Sequence, residues 1–460
     1  MGLFGVFLSL GLLMFLAYRG INVLVLAPVL ALLAVLLSGD LPLLATYTQV
    51  FMEALGNYLI QYFPLFMLGA IFGKLMADTG SARVIAEWIV EKLGASRAIT
   101  AIVLSCGVLT YGGVSLFVVA FAVYPIANAL FRRADIPKRL IPAAIALGSF
   151  TFTMTALPGT PAIQNAIPMP YFDTTPFAAP VLGLLAGLIM FGGGVLWLNR
   201  RQAAADARGE GYGEHERTEA DAAEVPDDPP GFLVAVMPAV SVIALNALFT
   251  YVVIPAMETG YLQQERYGST DIGAVRGIWA IIAALVLSIL LLIALNFRRL
   301  AHLKETINAG TMGSLLPVFN TASEVGYGAT IASLPAFGAI RDAVLGISSN
   351  PLVSTAVATN VLAGITGSAS GGMSIALETL GERFMELAQQ ANIDPELMHR
   401  VTALSSGGLD ALPHNGAVIT LLAITGLTHR QSYADIFVVA VAVPLLATVV
   451  VIALGSLFVL

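Results

Sequence analysis

Ala156-Leu157-Pro158-Gly159-Thr160-Pro161-Ala162-Ile163 returns later in the chain as Ala411-Leu412-Pro413-His414-Asn415-Gly416-Ala417-Val418. Both copies stand inside long apolar stretches, and each puts helix breakers and small polar groups where a membrane helix should run unbroken. Hydrocarbon offers no hydrogen bonds, so broken backbone survives there only where protein or a watery cavity satisfies its N–H and C=O groups. Two broken helices at matching places in two halves are the sequence pattern of a transporter's binding site.

Working outward, the 460 residues are 57% hydrophobic and only 11% charged, with a mean hydropathy of +0.85. Soluble domains carry about 25% charged residues, so the composition reads as an all-α polytopic membrane protein. The first apolar stretch, Gly2 to Tyr18, has no basic n-region and no small-residue cleavage site, and is expected to be a retained helix. A single cysteine, Cys106, excludes an intramolecular disulfide and a cysteine metal cluster, and reads as a small apolar packing residue. Much of the net charge of −7 is local: residues 199–230 hold four arginines and nine acids. That stretch reads as a flexible acidic linker and gives no sign of nucleic-acid binding.

Further anchors support a duplication. Gly112-Gly113-Val114-Ser115 matches Gly371-Gly372-Met373-Ser374 at a displacement of 259 residues, as does Asp135 against Asp394, and the Ala-Leu-Pro phrase is displaced by 255. The expected organisation is a first repeat over 1–198, a linker over 199–230 and a second repeat over 231–460. Spans are expected at 2–18, 21–38, 54–77, 140–168 and 176–198, then at 231–255, 275–295, 306–335, 399–428 and 433–460, with discontinuous helices at 140–168 and 399–428. The stretches 97–131 and 351–380 have legs short of the ~20 residues of a full span and are read as re-entrant hairpins. Amphipathic segments before them, Arg83 to Gly94 and Phe337 to Gly346, suit the membrane interface.

Five crossings per half make the repeats inverted. Arg132, Arg133, Lys138 and Arg139 follow the first hairpin, whereas the partner segment 382–400 is dominated by Glu382, Glu386, Asp394 and Glu396 against Arg383 and Arg400. Cytoplasmic loops collect Lys and Arg. The first hairpin is therefore expected to enter from the cytoplasm and the second from outside, with Arg19, Arg200-Arg201, Arg298-Arg299-Lys304 and His429-Arg430 inside and both termini outside.

The expected site has four parts: the tips Gly112, Gly113 and Ser115, and Gly371, Gly372 and Ser374, with the breaks Thr155 to Thr160 and Asp410 to Asn415. Half-helix N-termini offer N–H groups to an anion, and unwound carbonyls can hold a cation. A small carboxylate suits such a site, with Pro158, Gly159, Thr160, Pro413 and Asn415 as ligand-side candidates. Asp410 reads either as an ion or proton site or as a cap, since a membrane carboxylate is costly. His414 reads as a proton relay or a structural hydrogen-bonding group, and Thr155 is the repeat partner of Asp410. Glu324 lies mid-span on a polar helix face, lining the pathway or pairing across the bundle. Asn57 and Gln61 are expected to hydrogen-bond between helices, and Glu378 to be solvated.

Through the phrases Gly-Ser-Phe-Thr-Phe-Thr-Met-Thr-Ala-Leu-Pro-Gly-Thr-Pro-Ala-Ile-Gln-Asn (148–165) and Ser-Ser-Gly-Gly-Leu-Asp-Ala-Leu-Pro-His-Asn-Gly-Ala-Val (405–418), the chain resembles the gluconate permease (GntP) family of the ion transporter superfamily. The resemblance implies secondary active uptake of organic acids with protons across the inner (cytoplasmic) membrane. It also implies a homodimer of scaffold and transport domains moving as an elevator. Gluconate-type members carry Pro-Pro-His-Pro-Gly-Pro and Ser-His-Val-Asn-Asp at the two breaks. The departure here looks closer to the branch handling 3-hydroxybutyrate and similar short carboxylates.

The leading expectation is a carboxylate:proton symporter in the lipid bilayer with no organic cofactor. A sodium-coupled citrate-like di- or tricarboxylate carrier is the alternative, although no Arg or Lys falls within the four segments. A channel and an intramembrane hydrolase using Ser405 or Ser406, Asp410 and His414 are weaker readings, since a triad is defined by geometry rather than sequence proximity.

Overall fold

Polar side chains open the helices and left-handed glycines close several of them. Asn22 accepts from the Leu24 N–H at 2.9 Å to start α2 (Val23–Ser38), which ends on Gly39 at φ 73°. The same device starts α13 (Ile272–Asn296) at Asp271, α16 (Pro351–Thr366) at Asn350, α17 (Ala369–Gln390) at Ser368, α18 (Pro395–Ser406) at Asp394 and α19 (Gly416–Thr425) at Asn415. Each cap satisfies N–H groups that the first helical turn leaves free.

The computed structural model describes residues 2–215 and 228–458 and is all-helical among them. Glu216, Arg217, Glu219, Asp221, Glu224 and Asp227 of the expected linker lie outside the described residues. The remaining helices are α1 (Gly2–Tyr18), α3 (Leu43–Asp78), α4 (Ser81–Leu93), α5 (Ala98–Tyr111), α6 (Leu116–Arg133), α7 (Ile141–Ser149), α8 (Phe152–Thr155), α9 (Ile163–Ala166), α10 (Met169–Phe172), α11 (Pro180–Asp206), α12 (Phe232–Ala256), α14 (Leu303–Ser333), α15 (Phe337–Leu345) and α20 (His429–Leu457). Six of the described helices are long and apolar enough to cross a bilayer, and α4 with α5 forms a pair bent by 103°. Large apolar side chains such as Phe4, Phe7, Leu44, Ile60, Val181 and Leu233 remain exposed, as a lipid-facing surface requires.

Several boundaries differ from the sequence reading. The third span begins at Leu43 rather than 54, because a π-type turn at Tyr47–Phe51 keeps the helix continuous with its start. In the first hairpin α6 has 18 residues, enough for a span by length, and in the second α17 continues ten residues past 380 to Gln390.

Packing repeats between the halves. The long helices α3 and α14 run against each other. The contact of α14 with α2 is matched by that of α3 with α13, and α5 on α7 by α16 on α18. Polar contacts tie the loops together. Arg139 reaches Glu210 at 2.6 Å and Asp435 at 3.0 Å, and Arg201 reaches the same Asp435 at 2.7 Å, forming one cluster. Separate contacts join Thr306 to Asp78 at 2.7 Å, Tyr171 to Glu378, the Ala179 N–H to Glu396, and Asn350 to Ser456, and Trp88 stacks on Phe232. Hydrogen bonding to Arg139 holds the Glu210 carboxyl below its usual range.

A candidate substrate and coupling site at two helix breaks

The first break follows from its residues. After α7 and the single turn of α8, the prolines at 158 and 161 bar a continuous hydrogen-bond ladder, and the chain runs irregularly until α9. Gly159 sits at φ 80°, a conformation that glycine adopts without strain. Its N–H donates to the Pro176 carbonyl at 2.8 Å, and its carbonyl accepts from the Asn246 side chain at 3.0 Å. Asn165 donates to the carbonyls of Thr160 and Pro176. The first hairpin's tip closes over this segment: Tyr111 donates to the Pro158 carbonyl at 2.7 Å, and a Cβ on Gly113 would meet Pro161 at 3.2 Å. Ser115 packs against α3, where a Cβ on Gly73 would come within 3.3 Å of its backbone nitrogen.

The second break has matching construction. After α18 the chain makes a short turn at Leu409–Ala411 and restarts at α19. Asn415 does two jobs: its Oδ1 caps α19 through the Val418 N–H at 2.9 Å, and its Nδ2 donates to the Gly367 carbonyl at 2.9 Å. Gly367, at φ 67°, is the second hairpin's tip, and a Cβ there would meet the His414 ring at 2.8 Å. The His414 Nε2 is buried without a hydrogen-bond partner among the described residues. The Pro413 carbonyl contacts His429 Nε2 at 2.8 Å, and Tyr433 donates to the Ala411 carbonyl at 3.1 Å. The Asp410 carboxylate is faced by the backbone N–H groups of Asp410 and Ala411, with Tyr433 nearby.

The two breaks touch. A Cβ on Gly407 would stand 2.9 Å from the Thr155 methyl. Thr155 donates its hydroxyl to the Thr151 carbonyl, and its own carbonyl accepts from Arg400 at 3.0 Å. The four segments therefore join in the order first tip, first break, second break, second tip.

Two expectations need correction. Gly371 and Gly372 are not at a tip but in the first turn of α17, because Ser368 caps the helix by accepting from Gly371 N–H at 3.0 Å. Their lack of side chains serves close packing instead: a Cβ at 371 would collide with the Glu324 carboxylate, and one at 372 with the Ala363 backbone. Ser374, one turn on, is buried with its hydroxyl unpartnered among the described residues. Arg400 does not belong to a loop. It is fully buried in α18, donating to the carbonyls of Ala178 and Thr155 and to Asn165 Oδ1. His399 beside it contacts Thr174 and Asn165. The sequence signal was an adjacent His-Arg pair at the start of an apolar span.

Other candidates fall elsewhere. Ser406 donates to the Ala403 carbonyl, and no hydrogen bond among the described residues joins Ser405 or Ser406 to His414. Asn57 is exposed, and neither it nor Gln61 forms an interhelical hydrogen bond among those described. Cys106 is buried in packing against Gly148.

Broken helices meeting hairpin tips inside an all-helical membrane bundle define a multi-pass transporter. The GntP family permease model matches residues 1–452, and the chain belongs to that family. It is a secondary transporter, not an enzyme. It is 48% identical to the uncharacterized transporter YxjC of Bacillus subtilis, across 98% of both chains. An uncharacterized transporter of Haemophilus influenzae is 32% identical over 125 residues, 27% of this chain and 29% of that one. Two solved structures share the fold. MtrF of Neisseria gonorrhoeae, described within a class of antimetabolite efflux pumps, aligns at TM-score 0.56 and 11% identity over 90% of this chain and 84% of its own. The YdaH transporter of Alcanivorax borkumensis, described as having an unusual topology, aligns at 0.53 and 16% over 90% and 88%.

Proposed function

We propose that the protein imports a small monocarboxylate of the 3-hydroxybutyrate type by proton symport across the inner membrane, with the four joined segments as its site. The observation that carries this reading is the seating of His414 and Asn415 against the Gly367 tip, with Asp410 in the same break. Substrate contacts are assigned to Gly112, Gly113, Ser115, Pro158, Gly159, Thr160, Pro413 and Asn415, with Gly371, Gly372 and Ser374 supporting the second tip. Coupling is assigned to Asp410 and His414, with Thr155 holding the matching position in the first break.

Arg400, the guanidinium that the described residues place against the first break, already donates to the Thr155 and Ala178 carbonyls, so the carboxylate is held by N–H groups, hydroxyls and helix ends rather than by a free cation. That favours one carboxylate over the several charges of a citrate. The mirrored packing, with the basic residues that follow the first hairpin, supports an inverted repeat with the Arg139 cluster cytoplasmic and both termini outside. Elevator-type alternating access, implied by the family resemblance, belongs to the same proposal.

In proteoliposomes, labelled 3-hydroxybutyrate should accumulate under an imposed pH gradient, without sodium and with alkalinisation of the outer medium. Failure of 3-hydroxybutyrate and gluconate alike to accumulate, or accumulation only with a sodium gradient, would overturn this reading.

A further inference from the structure

Glu324 is an acid for which the site above has no use. It is 3% exposed in the middle of α14, and its Oε2 has no hydrogen-bond partner among the described residues. Ser368 faces the carboxylate from the cap of α17, and glycine at 371 leaves room for it against the helix backbone. From α3 comes Tyr58, a titratable group beside this carboxylate, its hydroxyl facing Ser374 and Thr321 and without a geometric hydrogen-bond partner among the described residues. Ser374 is unpartnered as well. Three buried orphan oxygens thus meet where α3, α14 and α17 converge. A lone buried carboxylate with no paired cation is costly to keep charged, whereas a proton on it would donate to one of these waiting hydroxyls.

The same cluster connects to the surface. The Tyr62 ring lies 4.7 Å from that of Tyr58, and its hydroxyl donates to the Ile167 carbonyl at 3.1 Å, just ahead of α10, which carries Tyr171. The Tyr171 hydroxyl donates to Glu378 at 3.1 Å. Glu378 is exposed and lines a pocket of about 770 Å³ with Glu382, Glu386, Arg341 and Arg383. Gly381 makes the room for Tyr171, since a Cβ there would stand 2.9 Å from its ring. Hydroxyls can pass a proton by donating on one side while accepting on the other, with waters bridging wider gaps.

We propose that Glu324 is a second proton-carrying carboxyl, separate from Asp410 and filled from the Glu378 pocket through the hydroxyls of Tyr171 and Tyr58. It rests on the proton-coupled reading above and extends it: the carboxyl lies between the long α14 and the hairpin helix α17. A proton there relieves the carboxylate's charge while the hairpin stays packed, and its departure loosens that contact.

Infrared spectroscopy of the purified full-length protein tests this without any substrate. At neutral pH the wild type should show a protonated-carboxyl stretch that Glu324→Gln removes and Asp410→Asn leaves. Tyr58→Phe and Ser374→Ala should shift that band by changing its hydrogen bond, and Glu378→Gln or Tyr171→Phe should slow its deuterium exchange severalfold. A wild type without the band, or a band untouched by Glu324→Gln, overturns the proposal. Should Glu324→Gln fail to fold, a band unmoved by both Tyr58→Phe and Ser374→Ala overturns it equally. Exchange unchanged in Glu378→Gln and Tyr171→Phe removes the route. None of these outcomes depends on 3-hydroxybutyrate transport, so failure of the substrate reading is seen separately.

Discussion

Thr155 and Gly407 lie so close that a single added methyl group at 407 would stand 2.9 Å from the Thr155 Cγ2. Through this contact the two broken helices, one from each half of the chain, pack against each other, so a change in side-chain volume on one side is felt on the other.

Gly407→Ala should therefore act as an overpacking mutation, lowering stability by about 1–3 kcal/mol. Thr155→Ser, which deletes the opposing methyl, should recover much of that loss in the double variant. Thermal unfolding of the four proteins of the cycle measures the coupling. Additive losses would mean that the two residues do not meet.

Arg400 staples the first break to α18. Arg400→Met leaves the carbonyls of Thr155 and Ala178 without this donor, while Asn165 Oδ1 retains His399, each buried unsatisfied group costing on the order of 1–3 kcal/mol. Arg400→Lys should rescue little, because one ammonium cannot reproduce the fork of donors. The yield and unfolding temperature of purified protein report both effects.

Asn415 separates capping from tip anchoring. Asn415→Ser keeps a hydroxyl acceptor for the Val418 N–H but is too short to reach the Gly367 carbonyl, so stability should nearly hold while uptake falls. Asn415→Ala loses both and should also cost about 0.5–2 kcal/mol as a lost cap. Comparing unfolding with initial uptake rates distinguishes the two variants.

The Glu210 carboxyl, held low by Arg139, contributes stability that is complete above its unfolded-state value near pH ~4.3 and is lost as pH falls through its depressed folded value. Glu210→Gln should flatten the acid limb of a stability-against-pH curve and leave the neutral region nearly unchanged. An identical acid limb in both proteins would contradict this role.

Much of the fold was legible in the chain because broken helices leave strong marks. The doubled Ala-Leu-Pro phrase located both breaks, and Gly112-Gly113 located one tip. The second tip was misplaced by four residues, since Gly371-Gly372 copies the glycine pair but Ser368 moves the cap. Two glycines in sequence do not say whether they turn the chain or admit a neighbour, and here they admit Glu324 and Ala363. Arg400 was hidden for another reason. Its partners Thr155, Asn165 and Ala178 come from the other half of the chain, and no local pattern announces a contact across more than two hundred residues.

Asp410, proposed to link proton movement to carboxylate movement, is tested by one comparison. Asp410→Asn, reconstituted beside the wild type, is assayed for pH-driven accumulation of labelled 3-hydroxybutyrate and for its exchange against unlabelled 3-hydroxybutyrate at equal pH. The account predicts that accumulation disappears while exchange persists. Accumulation at the wild-type level in the folded variant would contradict it.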